Sequence, residues 1–339
     1  MNDRMRLLTF RRLCLAGTVL ALCVIVLGAY VRLNHAGLGC PDWPGCYGHL
    51  TAAQAVANQD AANATWPERP VEYAKAHKEM LHRYLASALG LLILAIAAVA
   101  WANRRDRQQP LRLPFAAVAL VILQGLLGMW TVTLLLKPAI VTAHLFGGLA
   151  TLSLLWWMAL ATDRRSRPGA ERTLRKWAVV GLAVLAAQIF LGGWVSTNYA
   201  AVACPDFPTC QRAWWPEMDF REAFVLWRGL GIDYEGGVLD HPARVAIHFT
   251  HRIGAVVTAL VLGVLAWLAA RHGASRGVRG AGLALAGTLV LQLLVGPVMV
   301  LQTFPLGLAT LHNAVAALLV LCVVALLRFL HPPRRGAAF

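Results

Sequence analysis

Charge is what this sequence has least of. Asp, Glu, Lys and Arg make up 14% of its 339 residues, where a soluble domain carries roughly 25%. Acidic side chains are scarcest, 16 against 31 basic ones. So little charge excludes a disordered chain, which relies on charge and polarity to stay solvated, and it excludes a soluble enzyme or DNA-binding domain. No glycine-rich dinucleotide loop, Walker motif or Gly-x-Ser-x-Gly elbow stands in a usable context. What the chain does have is 58% hydrophobic residues, gathered in repeated runs. A helix rising about 1.5 Å per residue crosses the hydrocarbon in about 20 residues, so the composition reads as an all-α integral membrane protein.

Apolar runs predict eight spans, at 13–33, 80–102, 114–135, 139–161, 177–197, 244–270, 281–303 and 306–330. An even number puts both termini on one side. The N-terminus (Arg4, Arg6, Arg11, Arg12), the connections holding Arg104, Arg105, Arg107 and Arg112, then Arg164 to Lys176, then Arg271, Arg276 and Arg279, and the tail with Arg328, Arg334 and Arg335 carry 20 of the 31 basic residues. Only Asp3, Asp106, Asp163 and Glu171 oppose them there. The positive-inside rule makes that side cytoplasmic, and the net charge of +15 therefore reports topology and calls for no nucleic-acid partner. The first span is read as a retained helix and not as a signal peptide. Long outer loops fall at 34–79 and 198–243. They hold Cys40 with Cys46 and Cys204 with Cys210, and outside the membrane two local disulfides are expected. Cys14, Cys23 and Cys322 fall in spans and read as small core residues. Trp43, Phe207, Trp214 and Trp215 read as interfacial aromatics, and 216–230 as an amphipathic surface helix.

The two outer loops repeat each other. Leu27-Gly28 leading to Cys40-Pro41-Asp42-Trp43-Pro44-Gly45-Cys46 returns 164 residues later as Leu191-Gly192 leading to Cys204-Pro205-Asp206-Phe207-Pro208-Thr209-Cys210. His82-Arg83 returns as His251-Arg252, Leu123-Gln124 as Leu291-Gln292, and Thr142-Ala143-His144 as Thr310-Leu311-His312. The expected architecture is two duplicated four-helix bundles in the same orientation, 1–165 and 166–339.

His82, His144, His251 and His312 form two repeated pairs near the outer ends of spans. An ionisable side chain in hydrocarbon needs a partner and marks function by default. Two neutral imidazoles facing across a bundle suit the axial ligation of a haem iron; bland interhelical hydrogen bonding and zinc are weaker alternatives. Glu79 precedes His82 by one turn, where a carboxylate can relay protons; its alternative is a surface pairing with Lys75 or Lys78. The matching position in the second half is His248, which leaves a second candidate ligand one turn from His251. Arg83 and Arg252 suit porphyrin propionates or snorkel to the interface. Gln124 and Gln292 read as interhelical hydrogen-bond partners.

Together, Glu79-x-x-His82-Arg83, His144, His251-Arg252 and His312 on eight spans resemble the haem A synthase family, over nearly the whole chain. The resemblance implies an oxidoreductase that oxidises the C8 methyl of haem O by successive hydroxylations to the formyl group of haem A, for cytochrome oxidase. It implies that His82 and His144 flank the haem O/haem A site, that Glu79 assists the oxidation, and that His251 and His312 hold a haem b cofactor. It further implies the cytoplasmic (inner) membrane as location, with the cysteine loops on the periplasmic side. Membrane lipid, haem O synthase and cytochrome oxidase assembly factors are the implied partners; a homo-oligomer is left open, as is a structural or redox role for Cys40-Cys46. The Cys204-Cys210 pair is expected to be structural, each such short loop adding about 2–3 kcal/mol. Competing readings are a di-haem electron-transfer cytochrome, a haem carrier without substrate chemistry and a quinone-linked thiol oxidase.

Overall fold

The computed structural model describes residues 3–106, 109–161 and 172–331. Arg107, Asp163, Arg164, Arg165, Arg167, Glu171, Arg334 and Arg335, and the expected half boundary at 165/166, lie outside the described residues. The described chain is helical, and its only extended pairings are two isolated bridges, Cys46 with His49 and Cys210 with Ala213. Eight helices are long and apolar enough to cross a membrane. They are α1 (Asp3–Leu33), α4 (Tyr73–Ala102), α5 (Arg112–Thr133), α6 (Pro138–Ala161), α7 (Arg172–Thr197), α9 (His241–His272), α10 (Arg276–Leu301) and α11 (Leu306–Phe329). The first outer connection adds α2 (Ala52–Ala57) and α3 (Gln59–Thr65), and the second adds a 3-10 turn (Ala201–Ala203) and α8 (Phe220–Ala223).

Neighbouring helices close two rings. Helix α1 packs on α4 and α6, with α5 bridging those two; α9 packs on α7 and α10, with α11 against α10 and α7. The rings meet where α11 lies on α1 and α6, and α6 on α7. In lipid the apolar effect does not draw helices together, so association rests on close packing, which small residues allow. A Cβ on Gly282 of α10 would stand 2.7 Å from the Ala270 amide nitrogen of α9, and one on Gly181 of α7 2.8 Å from a Leu265 methyl.

Two expectations are corrected. Segment 216–230 is not an amphipathic helix: only Phe220–Ala223 is helical. The Ala223 carbonyl takes the Trp194 indole N–H at 2.8 Å, and the Arg228 and Gly229 carbonyls take the Lys137 ammonium at 2.5 and 3.0 Å, so side chains satisfy carbonyls that a helix would pair with its own amides. Cys23 is exposed, whereas Cys14 is buried. The buried residues Cys14, Thr18 and Ala21 follow one helical stripe of α1, and Cys23 lies off it.

The loop of the second ring reaches over the first. Arg69 pairs with Asp233 at 2.6 Å and Glu235 at 2.9 Å, and the Tyr234 amide donates to the Leu135 carbonyl at 3.1 Å. Lys137, 1% exposed, also stands 3.8 Å from the centre of the Trp227 ring.

Candidate functional site

The repeated cysteine motif builds a small cap above each histidine pair. Disulfides join Cys40 to Cys46 and Cys204 to Cys210. Inside each loop the aspartate closes the turn. Asp42 accepts from the Tyr47 amide at 2.6 Å and the Gly48 amide at 2.9 Å, and Asp206 from Gln211 at 2.6 Å and Arg212 at 3.0 Å, with Thr209 donating as well. Burial works against the charged Asp206, but these donors outweigh it and hold the carboxyl below its ordinary range. Trp43, Phe207, Trp214 and Trp215 are all exposed beside these caps.

Each cap is fixed by the arginine that follows the histidine. Arg83 donates to the carbonyls of Asp42 at 3.0 Å and Gly45 at 2.5 Å, and Arg252 to those of Thr209 at 2.7 Å and Cys204 at 2.9 Å. Gly45 and Thr209 occupy the same place in their loops. Both guanidinium groups are thus engaged with loop carbonyls, a role that sequence reasoning did not foresee.

Glu79 is 5% exposed and is the only buried acidic side chain among the described residues. One carboxylate oxygen pairs with Arg83 and the other accepts the Cys40 amide at 2.9 Å. Its hydrogen bonds therefore run to Arg83 and the cap. Lys75 pairs with Glu72 and Lys78 reaches Asn34, so the alternative lysine pairing of Glu79 is replaced by an arginine. In the other half His248 accepts from Arg252 at 3.3 Å and meets the Phe304 ring edge-on.

The imidazoles lie directly inward of these caps. His251 of α9 and His312 of α11 face each other across the second ring, with centroids 6.5 Å apart and planes 71° apart. Two iron–nitrogen bonds of about 2 Å plus the ring radii span about 6 Å, close to this separation, and Nε2 of His312 here meets the Gln292 amide at 3.1 Å. His251, not His248, makes this contact. His82 of α4 and His144 of α6 sit diagonally in the first ring, within electrostatic range of each other. Among the described residues no cluster of three His, Cys, Asp or Glu side chains is placed to chelate a bare metal ion.

Every one of the four rings rests on a glycine of the adjacent helix. A Cβ at Gly28 would stand 2.8 Å from Cε1 of His82, at Gly192 3.1 Å from His251, at Gly128 3.4 Å from His144 and at Gly296 3.5 Å from His312. Nδ1 of His312 is buried without a hydrogen-bond partner, the His82 and His144 rings face the backbone carbonyls of Val24 and Gln124 on the glycine-bearing helices, and Nδ1 of His251 meets the Gln188 amide at 3.1 Å. Gln188 escaped the sequence reading because its counterpart 164 residues earlier is Val24. Gln292 reaches Nε2 of His312 at 3.1 Å, an interhelical bond of the expected kind. Gln124 instead lies over Gly147 of α6, its Nε2 buried and unpaired.

The family model of the cytochrome oxidase assembly protein, COX15-CtaA, matches residues 11–324. Curated relatives named "Heme A synthase" include that of Shewanella oneidensis, 43% identical with 92% of this chain and 94% of the relative covered. Those of Caulobacter vibrioides (29%, 96% of both) and Halalkalibacterium halodurans (24%, 94% and 97%) also align almost end to end. The chain belongs to the haem A synthase family. The two histidine pairs carry matching caps and glycines, and Glu79 stands beside His82 where His248 stands beside His251.

Proposed function

We propose that this protein is a haem A synthase, which oxidises the C8 methyl of haem O through successive hydroxylations to the gem-diol, which loses water to leave the formyl group of haem A. The observation that carries the reading is the His251–His312 spacing of 6.5 Å on glycine floors, met in a chain 43% identical to a relative of that name. The halves, 1–165 and 166–339, are parallel duplicates with both termini in the cytoplasm and the capped loops on the periplasmic side of the inner membrane. Matched details support this: the same glycine under each histidine, and the same arginine on each cap.

His82 and His144 bracket the haem O substrate and release haem A. His251 and His312 would hold a resident haem b, which supplies one-electron exchange when bound. Arg83 and Arg252 hold the caps and place positive charge at the outer edge of each pocket, where the propionates of a porphyrin would point. Glu79 takes up protons released as the methyl is oxidised; its bonds to Arg83 and Cys40 keep the carboxylate oriented beside His82. A di-haem cytochrome would need two equivalent sites, and the exchange of Glu79 for His248 argues against equivalence. Haem O reaches the protein from a haem O synthase and haem A leaves to cytochrome oxidase assembly factors. The test is expression with a source of haem O, followed by pigment extraction and mass analysis. Haem A in the extract supports the reading, and unaltered haem O in a fully loaded protein refutes it.

A further inference from the structure

The second outer loop covers one of the two histidine pairs and not the other. Tyr234, 2% exposed, packs with Leu38, Val132, Leu136 and Val141. Val132 lies one turn nearer the caps than Gly128, the floor under His144, and Val141 one turn nearer than His144 itself, so the Tyr234 ring roofs the first pocket on its His144 side. This roof comes from the other half. The Tyr234 amide donates to the Leu135 carbonyl at 3.1 Å, and Arg69 grips the residues on either side, Asp233 at 2.6 Å and Glu235 at 2.9 Å. Beyond these, Gly231 and Gly236 stand at positive φ, 77° and 81°, with open space where a side chain would be; they serve the path of the backbone and not close packing. Lys137 fixes the root of the segment through the Arg228 and Gly229 carbonyls. The second pair is closed differently. Leu38 returns as Val202, which is 64% exposed, and Leu136 returns as Phe304, whose ring stands edge-on to His248, one turn nearer the caps than His251. There the aromatic ring belongs to the turn between two helices; at the first pair it is lent by a loop held between glycines.

We infer that residues 230–236 form a lid over the first histidine pair, with Tyr234 as its plug and Arg69 as its latch, so that the first pocket opens and closes on the cap side while the second stays shut. The inference rests on the reading above that His82 and His144 bracket a porphyrin that must enter and leave. Burial of one aromatic ring favours closing. Opening breaks one backbone hydrogen bond, two partly exposed ion pairs and the contacts of that ring, and it leaves the helices beneath untouched, as local opening of a loop does. Closed, the lid keeps bulk water out of the pocket while the methyl is oxidised; open, it gives haem O a way in and haem A a way out. Plug and latch stand on different outer loops, so closure also requires the two halves to be docked.

The test uses the full chain in detergent, with excess apomyoglobin as acceptor. Loss from the first site is followed optically in His251→Ala loaded with haem O, and loss from the second in His82→Ala loaded with haem b. Tyr234→Ala should speed loss from the first site by about tenfold or more, since truncating a buried ring shifts a local closing equilibrium by at least that factor, and should leave the second site unchanged. Arg69→Gln should speed first-site loss by roughly threefold to fivefold, the scale of a partly exposed ion pair. Added salt should do the same when Arg69 is present and nothing when it is replaced. This variant keeps the test decisive where Tyr234→Ala does not fold. Tyr234→Phe, which loses only the bond to the Gly229 carbonyl, should match the unaltered residue. A packing role without gating would loosen both sites together. Unchanged first-site rates, or acceleration at both sites, overturn the inference. A His251→Ala protein that takes up no porphyrin refutes the reading of His82 and His144, and the lid with it. A wild-type chain that binds haem O at the first site and forms no haem A refutes the proposed oxidation alone, and the exchange rates still decide the lid.

Discussion

A buried carboxylate between a guanidinium and a backbone amide has two functions open to it, and substitution separates them. If Glu79 only anchors the cap, Glu79→Gln keeps a hydrogen-bond acceptor for Cys40 and leaves conversion near normal. If it also handles protons, both Glu79→Gln and Glu79→Ala should retain bound haem yet lose haem A formation about a hundredfold or more, as read by mass analysis of extracted pigment. The latter is the expected result. At this scale the sequence was legible where chemistry was costly: histidines inside apolar spans, and a glutamate at the edge of one, stand out because hydrocarbon tolerates them poorly. Gln188 was not legible, since the repeat that exposed the histidines holds a valine at its counterpart. The cap contacts of Arg83 and Arg252 were hidden too, because they end on backbone carbonyls whose positions no side-chain pattern reveals.

The outer loops are where helix periodicity stops informing. The eight spans were legible because hydropathy reports what lipid touches, yet α1 starts at Asp3 and α4 at Tyr73, well before the expected 13 and 80, since helix continues beyond the hydrocarbon into polar sequence. Helices α2 and α3 were missed, although Thr51 and Gln54 form a capping box that a search for that motif would have found. The first cap leads to a pH prediction. Tyr47 is buried beneath it, its hydroxyl donating to the Arg69 and Pro70 carbonyls at 3.1 and 3.2 Å. Burial, aided by nearby Glu72 against the opposing pull of Arg69, pushes the Tyr47 hydroxyl up to about 12. The raised value means that folding favours the neutral form. Its contribution is complete below the ordinary tyrosine value near 10 and fades as pH rises from there towards about 12. Limited proteolysis of residues 40–72 should therefore accelerate across that window in the wild type, and Tyr47→Phe should remove the pH dependence.

The whole molecule is held together by more than lipid-facing helices. Arg32 at the outer end of α1 donates to the Ser196 carbonyl of α7 at 2.7 Å and stacks 4.2 Å over the Tyr199 ring, a charged link between the two helical rings. Arg32→Ala should lower stability in detergent by about 2 kcal/mol, as expected for a hydrogen bond to a charged group, with helical circular dichroism as the measure. Arg69→Ala should cost less, about 1 kcal/mol at most, because its partners Asp233 and Glu235 are 51% and 29% exposed and salt screens such pairs. The two rings were foreseeable from the repeats, but the strap of the second loop over the first ring was not: it depends on Lys137, a lone cation in a short turn whose partners are carbonyls 91 and 92 residues away. The bare backbone beneath His82 and His251 carries a genetic consequence. A missense change at Gly28 or Gly192 would tilt the ring above it while leaving translation and insertion intact, so a full-length product short of one of its two pigments would pass any screen based on expression level alone.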